Sequence, residues 1–151
     1  MRHDRHRIFG FKDLTKTYFE RPGVYVVLES EDHCIGVAKT PKGCFLIGGG
    51  IEQNEDHLAC LRRECLEETG YDLEIFHALG SADIYGYHEK LGPFHPVQYY
   101  YSGRLLGQRQ EPQETDHQLV WIPYPEVLTK MYVEAQAWAI ACLKDEIGGN
   151  K

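Results

Sequence analysis

Glu64, Glu67 and Glu68 stand at positions i, i+3 and i+4 of one another. On a helix their carboxylates project from one face, within about a 100° arc. Like charges at that spacing repel, so a helix built only for packing does not favour them. A cation held among them relieves the repulsion. Carboxylate oxygens without a His or Cys cluster suit Mg²⁺ or Mn²⁺, with water and substrate phosphate completing the shell. A solvated acidic face is the plain alternative, and three glutamates alone do not exclude it.

The helix that must carry these acids is expected from about Glu55 to Thr69. Asn54 is a suitable N-cap, acids crowd the first turn, and Gly70 is a suitable stop. Leu58, Leu61 and Cys65 fall on the adjoining arc and are expected to face the core. Cys60 shares the arc of the acids and is assigned to packing. His57 is read as an exposed residue of the first turn.

Around that helix the chain reads as strands. Val24 to Leu28, Cys34 to Ala38 and Cys44 to Ile47 are rich in β-formers, the last running into Gly48-Gly49-Gly50. Leu73 to Tyr87 and Phe94 to Leu106 are two more, parted by a turn at residues 89–93, and Leu119 to Ile122 is a short one. Pro125 opens a helical region in which Val133, Ala137, Ile140 and Leu143 recur at helical spacing. Residues 1–20 are polar with a few aromatics and read as an arm across the body. Many strands with two well-separated helices predict an α/β (α+β) fold, a mixed sheet packed between helices. With no linker and no repeat, residues 1–151 are expected to form one domain.

Composition narrows the partners. A 151-residue chain with 42% hydrophobic and 26% charged residues is globular in type. Its net charge of −7 argues against a nucleic-acid polymer, which needs a basic face. Small phosphorylated substrates stay open, because a bound cation reverses the local field. Five cysteines without a Cys-x-x-Cys pair suggest free thiols in a reducing compartment. No apolar run is long enough for a membrane span, and a cytoplasmic protein, monomer or homodimer, is expected.

The residues flanking the acids add a pattern. They run Gly49-x5-Glu55-x7-Arg63-Glu64-Cys65-x-Glu67-Glu68-x-Gly70-Tyr71. This resembles the signature of the Nudix hydrolases, with all seven fixed identities in place. At roughly 6–7% usage per residue type, a chance match at one start is on the order of 10⁻⁸ to 10⁻⁹. Cys65 and Tyr71 fill positions where aliphatics are commoner, and Asn54 stands where many relatives carry glycine.

The resemblance implies an α/β/α sandwich and a division of labour. Glu64, Glu67 and Glu68 would ligate Mg²⁺, or Mn²⁺ in its place, joined by the backbone carbonyl of Gly48. Arg63 would hold the loop and acids in place, through Glu55 or another carboxylate of the signature. Glu52 would serve a second metal, and Gly49 and Gly70 would serve the backbone. A water would attack a diphosphate linkage, with a carboxylate as base: Glu114 first, with Glu111 and Asp116 behind it. His117, in the same loop, is the histidine first in line for substitution.

Tyr85 and Tyr87 lie where relatives acting on dinucleoside polyphosphates often carry a stacking tyrosine, although alternation sends half of such rings into a core. Nucleoside triphosphates, nucleotide sugars and dinucleoside polyphosphates all remain open. The alternative from another class is a non-catalytic Nudix-fold module that senses a nucleotide or sugar phosphate. Such modules usually lose signature residues, and here they are intact.

Overall fold

Alternating side-chain direction along Val24 to Leu28, buried on both faces, sets the plan of the molecule. In a computed structural model, which describes residues 5–114 and 116–148, Val24, Val26 and Leu28 point into one apolar cluster and Val27 into another. Both faces of the central strand are therefore covered, and each face needs its own helix.

The elements are, in chain order, β1 (His6–Gly10), β2 (Phe19–Glu29), β3 (Cys34–Thr40), β4 (Gly43–Phe45), β5 (Ile47–Gly50), α1 (His57–Thr69), β6 (Tyr71–His88), β7 (Gly92–Gln108), β8 (Gln118–Pro123) and α2 (Glu134–Gly148). They form one mixed sheet in the order β1-β6-β7-β2-β3-β4, with β5 pairing β2 and β8 pairing β3. The pairs β1–β6 and β2–β7 are parallel, and the rest are antiparallel. On one face α1 sets Cys60, Leu61 and Cys65 against Val24, Val26, Leu28, Ile47 and Leu73. On the other, α2 sets Ala135, Ala139, Ile140 and Leu143 against Val27, Ile35, Leu46, Leu79 and Tyr100. The expected mixed sheet between helices is what the chain forms.

Several local expectations are corrected. The segment read as an arm contains β1, whose Phe9 is buried beside Trp138, so it is an edge strand of the sheet; residues 1–4 lie outside the described residues. The strand read at Cys44 to Ile47 divides in two, and the three glycines belong to β5, where Gly48, Gly49 and Gly50 pair with Tyr25, Val24 and Gly23. Asn54 does not cap α1. It sits in a left-handed turn (φ 66°), and the cap is Asp56, whose carboxylate accepts from Ala59 N–H at 2.8 Å. Glu55 and Asp56 thus precede the helix, and its first turn holds no acid. Gly70 does end it, at φ 81°. Leu58 is 40% exposed, because the core-facing arc is centred on Cys60, Leu61 and Cys65. Near the C-terminus a 3-10 turn, Glu126–Thr129, precedes α2, so the helix begins nine residues after Pro125. None of the five cysteines is in a disulfide.

Candidate metal and phosphate site

Glycines in β5 bring the strand and α1 into direct contact. A Cβ on Gly49 would stand 2.4 Å from Cδ of Glu64 and 2.6 Å from both its oxygens, so the Glu64 carboxylate occupies the space that any side chain at 49 would need. Gly48 donates its N–H to Glu68 Oε2 at 3.1 Å. Cys60 Sγ lies 3.5 Å from Gly50 O and 3.7 Å from Gly49 O. Residues 60, 64 and 68 are successive i+4 neighbours, and that stripe of α1 rests on the three glycines.

Arg63 organises the loop between them. Its Nε and Nη2 grip the two oxygens of Glu55 at 2.6 and 3.0 Å, a bidentate pair. Nη2 also donates to Gly50 O at 3.2 Å, while Nη1 reaches Glu64 at 3.1 Å and Glu67 at 3.5 Å. Glu52 is a looser neighbour at 3.6 Å, and its own N–H bonds Glu55 Oε1 at 2.9 Å. The Arg63 hydrogen bond, with help from the Glu52 backbone, holds the Glu55 carboxyl down at about 2.

Arg63 makes no ion pair with Glu68. That residue is 7% exposed, and burial, opposed by the Gly48 N–H and reinforced by Glu64 and Glu114, pushes its carboxyl up to about 8. Burial also raises Glu64, against the pull of Arg63. Tyr25, beneath both acids, is pushed up to about 12, first by burial and then by Glu68 and Glu64. The loop before β8 closes the other side: His117 Nδ1 lies 3.6 Å from Glu68 Oε1, and the potential ligand atoms of Glu114, Asp116 and His117 lie within 4.8 Å of one another.

The structure thus brings Glu64, Glu67, Glu68, Arg63, Glu55, Glu52, Gly48 and Gly49 to one place, with His117 beside Glu68. Gly70 is at the far end of α1, where a Cβ would stand 2.0 Å from Gln110 O. Tyr85 and Tyr87 stand apart. Tyr85 stacks on His95 at 4.3 Å, and Tyr87 is 75% exposed; neither lines the cavities beside the acids. His57 is not a free surface residue: its Nδ1 is 2.9 Å from Tyr101 Oη and its ring packs on Tyr99. Tyr25, Arg21 and Gln98 have no site signature in the sequence, because a lone residue in a strand carries no spacing signal.

A mixed sheet between two helices, with a glycine strand feeding an acidic helix, defines the class of protein as the Nudix hydrolase fold. The NUDIX domain family matches residues 19–141, and the chain belongs to that family. No curated protein sequence matches. Among solved structures, the chain is similar to a NUDIX hydrolase from Nitrosomonas europaea (20% identity, covering 88% of this chain and 92% of that one, TM-score 0.65). It is also similar to the E. coli dihydroneopterin triphosphate pyrophosphohydrolase (16%, 90% and 100%, 0.68) and to an ADP-ribose pyrophosphatase from Streptococcus suis (17%, 83% and 91%, 0.59). At these identities the likeness is one of fold. The chain is a Nudix hydrolase, and among the described residues no helix is long and apolar enough to cross a membrane.

Proposed function

We propose that this enzyme is a Mg²⁺-dependent pyrophosphohydrolase that cleaves a diphosphate linkage in a nucleoside diphosphate-linked substrate by water attack. The observation that carries the reading is the placing of Glu64 and Glu68 on the bare backbone of Gly49 and Gly48, with Arg63 gripping Glu55 and touching Glu64 but not Glu68. The donor set fits a hard divalent cation: three carboxylates from one helix face, two of them held toward protonation by burial and without a full countercharge. His117 Nδ1 supports it, being buried, without a hydrogen-bond partner, and 3.6 Å from Glu68 Oε1.

Glu64, Glu67, Glu68 and the Gly48 carbonyl are the proposed ligands, with Mn²⁺ as a possible substitute. When bound, the cation supplies charge neutralisation on the bridging phosphate oxygens and lowers the pKa of a water. Arg63 keeps the acids and the Glu55 loop in register. Glu114 is the proposed base, with Glu111 and Asp116 behind it; its charge reaches both Glu64 and Glu68. Five cysteines outside any disulfide suit a reducing compartment, and the cytoplasm is the proposed location.

The test is a screen of nucleoside triphosphates, nucleotide sugars and dinucleoside polyphosphates with Mg²⁺ or Mn²⁺, wild type against Glu67→Gln. Turnover that drops by 10² or more in the variant supports the assignment. Turnover that survives unchanged defeats it, and tight binding without turnover in any class would favour a sensing module.

A further inference from the structure

Beside the acids lies an open cleft of about 360 Å³ whose wall includes Arg21, Gly50, His88, Phe94, Pro96 and Gln98. Arg21, Pro22 and Gly50 also line the cavity that holds Glu52 and Glu64, so the two spaces share a wall. One side of the cleft is aromatic. Phe94 stacks on Phe19 at 6.1 Å, and the His88 ring lies 5.2 Å from Phe94. A planar ring would find there an apolar surface next to the diphosphate site.

Its one buried polar wall residue is Gln98, at 7% exposure, and the protein decides which end of that amide the cleft meets. Leu46 N–H can only donate, and it does so to Gln136 at 2.8 Å, so the receiving atom is Oε1. Gln136, itself 1% exposed, therefore offers Nε2 to Gln98 at 3.1 Å. The Gln98 atom that receives it must be Oε1, and Tyr100 Oη donates to the same oxygen at 2.8 Å. Both lone pairs of that oxygen are occupied. Gln98 is left with its NH₂ group, which makes no hydrogen bond among the described residues and is not a buried unsatisfied group. It opens onto the cleft.

A glutamine normally reads adenine with both ends, accepting from the exocyclic amine and donating to the ring nitrogen. Gln98 cannot, because its acceptor is spent inside the protein. A donor alone matches a ring that carries an exocyclic oxygen and leaves the amine of an amino-substituted ring unpaired. Resting on the pyrophosphohydrolase reading above, we propose that this cleft holds the substrate's base and that Gln98, oriented by Gln136 and Tyr100, selects a 6-oxopurine or 4-oxopyrimidine over its amino counterpart.

Matched pairs test this without changing the phosphates: ITP against ATP, and UTP against CTP, with Mg²⁺. Wild type is expected to prefer the oxo member by roughly tenfold or more in kcat/KM. Gln98→Leu is expected to bring the ratio to near one. Gln98→Glu, which turns an acceptor toward the cleft, should carry it below one. Gln136→Met acts through Gln98: folded protein with turnover retained and the preference lost is the expected result, which a purely structural role for Gln136 would not produce. Equal turnover of both members by wild type would overturn base selection while leaving the hydrolase reading intact. If none of the four is turned over, calorimetric binding of the same pairs decides: oxo preference lost in Gln98→Leu upholds the cleft assignment while the hydrolase reading fails for these substrates, and no preference overturns it.

Discussion

The Glu64 carboxylate lies on the Cα of Gly49, with its carbon 2.4 Å from where a Cβ would be. That contact ties a strand residue to an acid of the helix, and it makes glycine the only residue that leaves Glu64 in place. Gly49→Ala should therefore lower kcat by 10² or more while costing little stability, since Glu64 can swing toward solvent. Steady-state kinetics with a thermal melt checks it; near-normal kcat in a folded variant would sink the idea.

Metal binding should depend on the same acids. Thermal melts of wild type should rise with added Mg²⁺ or Mn²⁺, by an amount set by the cation's preference for the folded state. In Glu68→Gln the rise should shrink or vanish, because Glu68 has no arginine to neutralise it and faces a His117 Nδ1 that has no hydrogen-bond partner. An undiminished rise in that variant would place the cation elsewhere.

Acid stability should carry the mark of Glu55. Its carboxyl is depressed in the folded protein to about 2, first by the Arg63 hydrogen bond and then by the Glu52 backbone. Below the unfolded value the unfolded chain binds the proton more readily, so this contribution is fully present above about pH 4.5 and is lost as pH falls toward 2. Glu55→Gln should flatten the loss of stability between those limits. Urea unfolding at stepped pH measures it, and an unchanged slope would show that the pair contributes nothing.

Packing beneath the site is equally open to test. Leu61 is fully buried between α1 and the sheet, among Val24, Val26, Ile47 and Leu73. Leu61→Ala should cost about 2–5 kcal/mol, the usual range for such a truncation. Asp56→Ala, which removes the α1 cap bond to Ala59, should cost only about 1 kcal/mol. Equilibrium denaturation should rank them in that order, and the reverse ranking would mean that the helix is held by its end and not by its face.

What the sequence determined by itself is whatever depends on spacing along one element. Glu64, Glu67 and Glu68 share a helix face because 3.6 residues make a turn, and the family follows from glycine, arginine and acid at set distances. The mixed sheet between two helices was legible too, from β-rich segments and two separated helical stretches. Boundaries were less so. Asn54 and Asp56 are both good caps, and only the left-handed turn at Asn54 decides between them. Tertiary structure alone decided the rest, because contacts between distant residues have no linear signature. Gly49 meets Glu64 across a loop, His117 arrives beside Glu68 from another strand's approach, and the amide of Gln98 is turned by Gln136, thirty-eight positions away. The acids were written in the helix. What the cleft wall presents was settled by a backbone N–H at Leu46 and two glutamines that the packing of α2 on the sheet brought together.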